Sequence, residues 1–125
     1  NLFSVNQVTA SRIPKLFIRN ERLVCYFDAN GFEMIIIFVG AMNVGSITTP
    51  WTGEIRPIKR GEIIDLKLAQ NISTTLKKGD LLGWFNMGST VITLFPKNSC
   101  VWTESLKTND DIFMGNKIGS LVQLH

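Results

Sequence analysis

Apolar residues run along this chain in short stretches, broken about every 8–12 positions by clusters of Gly, Pro, Asn and Asp, the pattern of an all-β sandwich or barrel. Residues 22–27 predict a strand, Asp28-Ala29-Asn30-Gly31 a turn, and residues 32–39 a second strand rich in β-branched and aromatic side chains, so the pair forms a hairpin. Just upstream, Pro14 can open a short helix with Leu16, Phe17, Leu23 and Val24 along one apolar side. Residues 44–48 predict a third strand, closed by Pro50. After the breaks at Gly53, Pro57 and Gly61, residues 62–68 alternate as a strand does, and residues 72–76 do so weakly. Lys77-Lys78-Gly79-Asp80 is a turn, residues 81–85 and 89–95 are strands, and Pro96 ends the second of these. In the tail, Gly115-Asn116 is a turn before Ile118-Gly119. The expected fold is all-β (mainly β): one compact sandwich- or barrel-like domain of short strands over residues 1–125, with at most one or two short helices.

Composition narrows the classes. With 45% hydrophobic and 18% charged residues over 125 positions, the chain can bury a core and is not intrinsically disordered. Its longest apolar run, residues 34–39, is far short of the roughly 20 residues that a spanning helix needs. The net charge of +3 comes from 13 basic and 10 acidic residues, scattered rather than blocked. That permits contact with an anionic surface without arguing for one. The tryptophans Trp51, Trp84 and Trp102 lack the basic–aromatic interleaving of a nucleic-acid groove, so no nucleic-acid partner is expected and they read as core or edge packing. Two cysteines, Cys25 and Cys100, fit a reducing compartment and are too few for a disulfide scaffold, although one bond between them stays open. The first residues, Asn1-Leu2-Phe3-Ser4, carry neither an initiator Met nor a signal peptide, and the chain reads as a piece of something longer.

The chemistry available is sparse. His125, the last residue, is the sole histidine, so Ser-His-Asp and Cys-His arrangements have no internal imidazole, and no close Cys pair suggests zinc or another metal. Gly79, Gly83 and Gly88 do not open a helix onto a phosphate. Asp65, Asp110 and Asp111 read better as turn or cap residues than as an acid–base or metal set. Lys77-Lys78-Gly79-Asp80 before an apolar strand resembles the second half of a biotinyl or lipoyl carrier domain. The modified-lysine turn of those carriers is missing, so a hybrid sandwich of that kind can be shared without the carrier function. What remains is Gly88-Ser89. A serine hydroxyl can attack the preceding carbonyl, and glycine there offers no side chain to obstruct it. The resulting ester can eliminate to dehydroalanine, which hydrolyses to a pyruvoyl group.

A broader likeness frames that dipeptide. The chain resembles the C-terminal portion of bacterial-type phosphatidylserine decarboxylase, first in Leu2-Phe3-Ser4-Val5-Asn6 and Leu16-Phe17-Ile18-Arg19-Asn20-Glu21-Arg22. The likeness continues through Val39-Gly40-Ala41, Val44-Gly45-Ser46-Ile47 and Trp51-Thr52-Gly53 with Pro57. Its most specific block is Lys78-Gly79-Asp80-Leu81-Leu82-Gly83-Trp84-Phe85-Asn86-Met87-Gly88-Ser89-Thr90-Val91-Ile92. It fades after Pro96, with a trace at Lys117-Ile118-Gly119.

The resemblance implies a proenzyme that cuts itself between Gly88 and Ser89, with residues 1–88 in the β chain and residues 89–125 in the α chain. Ser89 becomes the pyruvoyl cofactor, which takes the amine of phosphatidylserine as a Schiff base and acts as an electron sink while CO2 leaves, giving phosphatidylethanolamine. Ser4 is implied as a polar contact to the head group and Phe3, Val5 and Asn6 as parts of the wall around the pyruvoyl group, while Thr90 reads better as a strand residue than as a helper in the chemistry. The family's processing Asp and His, and a further His that aids decarboxylation, lie upstream of the matched blocks. The chain as it stands is therefore expected to fold as a β domain that neither cleaves nor turns over efficiently. The resemblance further implies a peripheral location at the cytoplasmic face of a bacterial cell membrane. The contact with that anionic membrane surface would be made by the N-terminal part, and a homodimer is compatible with it. Two other functions stay open on the residues alone: a non-catalytic β-sandwich module of lipid-surface or carrier type, and a pyruvoyl decarboxylase of a soluble amino acid.

Overall fold

Alternation builds the first hairpin. In β1 (Arg22–Ala29) the side chains of Leu23, Cys25 and Phe27 are half-buried while those of Arg22, Val24, Tyr26 and Asp28 are exposed, the period-2 signature of a strand with one covered face. The chain reverses where Asp28 accepts a 2.8 Å hydrogen bond from the Gly31 amide, and Gly31 takes a φ of 82° that side chains rarely tolerate. It returns as β2 (Phe32–Val39). Burial deepens along β2 until Phe38 and Val39 are enclosed. The computed structural model describes residues 20–29, 31–41, 47–55, 75–86 and 89–122.

Three small sheets carry the described strands. The first has the order β1-β2-β6, with β6 at Thr90–Leu94. The second has the order β4-β3-β5, formed by β3 (Ile47–Thr49), β4 (Gly53–Ile55) and β5 (Trp84–Phe85). Here β3 pairs antiparallel with β4 through Ile47↔Ile55 and Thr49↔Gly53, and with β5 through Ile47↔Phe85 and Thr48↔Trp84. The third is the antiparallel pair β7 (Cys100–Trp102) and β8 (Gly119–Leu121), in register at Cys100↔Leu121 and Trp102↔Gly119. No helix occurs among the described residues, and the all-β expectation holds.

Two compact units emerge. One comprises Asn1–Val24 and Ile37–Ile92, the other Cys25–Ile36 and Thr93–His125. In the first, Phe38, Val39, Ala41, Ile47 and Thr49 are buried, and the Phe38 and Phe85 rings meet edge-on at 5.4 Å. In the second, Phe95 touches Phe32 at 6.2 Å and Trp102 at 5.9 Å. Ser99, fully buried, donates its hydroxyl to the Pro96 carbonyl at 2.6 Å, and its own carbonyl accepts from the Val122 amide.

Several expectations meet the structure differently. Leu23 and Val24 lie in β1 and not in a helix, because their alternation continues into residues 25–28; the rest of that helix falls outside the described residues. The strand expected over 81–85 shrinks to Trp84–Phe85. Its partner β3 ends at Thr49 and turns through Pro50, so that strand has ended before it comes opposite Leu81 and Leu82. The strand expected over 89–95 loses one residue at each end. Strands β4 and β7 were not expected: Gly53 at φ 67° and the Ser99 turn make them possible, and neither shows in hydropathy. Residues 44–46 and 62–68, and most of 72–76, lie outside the described residues, while Thr75 and Leu76 are not in a strand. Of the two places expected for the tryptophans, the edge holds: Trp84 lies on β5, at the edge of its sheet, and Trp102 packs on Phe95, both exposed, while Trp51 is half-buried.

Candidate active site

The site is built by the end of one strand and the start of another. Ser89 stands immediately before β6, half-buried, and its hydroxyl donates a hydrogen bond to the backbone carbonyl of Val39 at the end of β2. Strands β2 and β6 are hydrogen-bonded neighbours, which brings residues 50 positions apart in sequence into contact. Val39 is fully buried, and Gly40, also buried, donates its amide to the Glu21 carbonyl at 2.9 Å. The acceptor that meets Ser89 is thus fixed by backbone on both sides.

The approach to Ser89 is equally constrained. Lys77-Lys78-Gly79-Asp80 forms the expected turn: the Asp80 amide donates to the Lys77 carbonyl at 3.0 Å, Asp80 Oδ2 accepts from the Lys77 amide at 2.7 Å, and Gly79 takes φ 92°. Gly83 then passes so close to β3 that a Cβ there would lie 2.7 Å from the Thr48 carbonyl oxygen and 3.2 Å from the Phe38 ring. Only glycine fits that crossing. Strand β5 follows, and Asn86 donates from Nδ2 to Glu54 Oε1 at 3.3 Å. Opposite β5, the Thr49 and Thr52 hydroxyls lie 2.6 Å apart and Thr49 Oγ1 accepts from the Thr52 amide, which holds the β3–β4 turn.

This arrangement orients the Ser89 hydroxyl without activating it. A carbonyl accepts a hydrogen bond but cannot take the proton, so a base has to come from another group. Sequence reasoning named the segment Val39-Gly40-Ala41 but not this role, because a backbone carbonyl leaves no mark in residue identity. Thr90 lies in β6, half-buried, as a strand residue. Gly88, Ser4, Phe3, Val5 and Asn6 fall outside the described residues, so the expected cleavage partner and head-group wall are not located relative to Ser89. Asp110 accepts from the Lys107 amide at 2.8 Å, a turn role as expected; Asp65 lies outside the described residues.

Two other groups are perturbed, both in the second unit. Burial pushes the half-buried Cys25 thiol above its ordinary value, and Cys25 and Cys100 are both free. A side-chain hydrogen bond with Glu33 raises Tyr26.

The family model described as phosphatidylserine decarboxylase matches residues 1–120. Among similar proteins, the phosphatidylserine decarboxylase proenzyme of Acinetobacter baylyi is 48% identical over 118 residues, 94% of this chain and 39% of that protein. The proenzymes of that name from Coxiella burnetii and Pseudomonas putida are 43% and 44% identical over 96% and 98% of this chain, covering 42% and 43% of their own lengths. The chain thus spans about two fifths of the length of these relatives. No solved structure matches it.

Proposed function

The chain belongs to the phosphatidylserine decarboxylase family, and from that premise we propose that it carries the self-cleaving, pyruvoyl-forming segment of an enzyme converting phosphatidylserine to phosphatidylethanolamine. The observation that supports this reading best is the Ser89 hydroxyl, held against the Val39 carbonyl directly after Gly88.

In this reading Ser89 Oγ attacks the Gly88 carbonyl carbon, and the peptide nitrogen leaves with a proton. The chain is then joined through an ester. Loss of the Ser89 α-proton breaks the Cβ–Oγ bond, and Oγ departs in the new Gly88 carboxylate. Water converts the remaining dehydroalanine to the pyruvoyl group with release of ammonia. The hydroxyl proton and the α-proton pass to bases supplied by the further length of the enzyme, since the Val39 carbonyl accepts a hydrogen bond but cannot take a proton.

The residues present fit that group: a serine follows glycine and opens a strand whose neighbour presents a buried acceptor. When formed, the group supplies an electron sink for decarboxylation of an amine-bearing substrate. Once Oγ has left with Gly88, the Val39 carbonyl has no hydroxyl to accept from. It then becomes an acceptor for an N–H of the substrate amine, which orients the amine beside residue 89. The substrate is a bilayer lipid, so the reading carries with it a peripheral place at the cytoplasmic face of a bacterial cell membrane.

Intact mass spectrometry of the full-length protein, purified under reducing conditions, tests the reading. Two pieces divided between Gly88 and Ser89, the second with a carbonyl-bearing blocked N-terminus, are expected. Ser89→Ala gives one uncut chain and no phosphatidylethanolamine. An uncut wild-type chain with an ordinary serine at residue 89 would overturn the proposal in favour of a binding module. Cleavage with turnover of a soluble amino acid and none of the lipid would overturn the substrate.

A further inference from the structure

The acceptor that meets Ser89 is one end of a peptide unit whose other end is also held. The Val39 carbonyl and the Gly40 amide belong to the same planar peptide. The carbonyl accepts from the Ser89 hydroxyl, and the amide donates to the Glu21 carbonyl at 2.9 Å. A peptide plane fixed at its N–H end turns its carbonyl only by breaking that bond, and an amide that donates makes its own carbonyl a stronger acceptor. The aim of the carbonyl is therefore set at residue 21. What holds residue 21 lies on either side of it. Asn20 is 3% exposed although its side chain is an amide. No buried side-chain nitrogen or oxygen among the described residues lacks a hydrogen-bond partner, so that amide is not orphaned. The Asn20 carbonyl accepts from Arg22 Nη1 at 3.2 Å. All of these residues belong to the first unit.

We propose that the segment Asn20-Glu21-Arg22 is a positioning device for self-cleavage. Asn20, through its buried amide, and Arg22, through its hold on the Asn20 carbonyl, anchor the Glu21 carbonyl. That carbonyl orients the peptide between residues 39 and 40, and through it the Ser89 hydroxyl. The inference rests on the cleavage reading above. Packing alone asks for an apolar side chain at a site as buried as residue 20. An amide there costs free energy unless its bonds are made, and what it adds is direction, which apolar contact does not supply. The next carbonyl along the chain is the one that takes the Gly40 amide. Attack on the Gly88 carbonyl carbon needs Oγ within a narrow range of position and angle. Asn20 and Arg22 act on that aim through the backbone, as positioning residues.

The test follows cleavage between Gly88 and Ser89 over time in the full-length protein, pulse-labelled during synthesis in vitro. Asn20→Ala is expected to slow cleavage about tenfold, and Arg22→Met, which keeps the apolar stem and removes the donors, about threefold. Both variants reach the wild-type end point. A misaimed hydroxyl slows every molecule, whereas a weakened fold leaves a fraction uncut and the remainder at the wild-type rate. Hydroxylamine cuts an ester and spares an amide, so it should speed neither variant, because the slowed step precedes the ester. Wild-type rates in either variant would overturn the proposal. So would an uncut fraction beside a remainder at the wild-type rate, or cleavage restored by hydroxylamine. Arg22 is exposed, so Arg22→Met decides even where Asn20→Ala does not fold. A wild-type chain that stays uncut would instead defeat the functional reading, and this proposal with it.

Discussion

The two units of the chain differ in what they bury, although both expose apolar side chains, Leu81, Trp84 and Val91 in the first among them. Every buried hydrophobic side chain among the described residues belongs to the first unit: Phe38, Val39, Ala41 and Ile47. In the second, Ser99 is the buried residue, and Val101, Trp102, Phe113, Met114 and Leu121 face outward. The first unit holds Ser89 and its acceptor. A hydroxyl that must meet one carbonyl needs a backbone that does not shift, and close packing supplies that rigidity. The second unit is held by turns and ring contacts, which fix a loop in space while leaving its surface free. Placement of the reacting atom thus falls to the unit with the buried apolar core.

The sharpest way to break this contrast is to truncate one phenylalanine in each unit. Phe38→Ala removes a buried ring that packs against Phe85 and Gly83, and should cost about 3–5 kcal/mol in chemical denaturation. It should also slow cleavage at Ser89, because Val39 is its chain neighbour. Phe113→Ala should change stability by less than about 0.5 kcal/mol, as exposed substitutions do. Similar losses at the two sites would remove the distinction.

A finer test uses two glycines that each lie against a carbonyl. A Cβ at Gly83 would fall 2.7 Å from the Thr48 oxygen, and one at Gly119 would fall 2.9 Å from the Val101 oxygen. At Gly83 the Phe38 ring and Thr49 also press from 3.2 and 3.3 Å, so three neighbours would have to give at once. Gly83→Ala should cost about 1–3 kcal/mol by overpacking. Gly119→Ala should cost less, because the exposed pair of β7 and β8 can splay. Thermal unfolding of both variants orders them, and a larger cost at Gly119 would mean that the hairpin is the stiffer element.

Much of this was legible in the sequence, and the misses have physical causes. The β1–β2 hairpin was readable because alternation and an Asp-to-Gly turn agree. The Lys77–Asp80 turn was readable because Gly79 needs its positive φ and Asp80 caps the turn through its side chain. Strands β4 and β7, three residues each, are too short to show a period, and the end of β5 depends on where its partner stops. Ser89 was found through its Gly-Ser setting and the family likeness. The carbonyl of Val39 was not, since a main-chain acceptor has no residue type to search for.

The smallest expected effect concerns Cys25, at a position where the chain passes between the units in sequence. Burial raises its thiol pKa, so the folded state holds that proton more tightly than the unfolded chain does. The sign follows. The contribution is fully present below the unfolded thiol pKa, and it fades as pH rises through the folded value. Stability should therefore decline slightly on the alkaline side, and Cys25→Ser should flatten that decline while leaving neutral-pH stability little changed. The same burial predicts slower alkylation of Cys25 than of an unfolded-chain thiol at mildly alkaline pH, because the thiolate is the nucleophile. Denaturation midpoints across that range, with mass-resolved alkylation at residue 25, check both. An alkaline decline unchanged by Cys25→Ser would place its source in another group, and Cys25 alkylated as fast as an unfolded thiol would mean that β1 opens at that point.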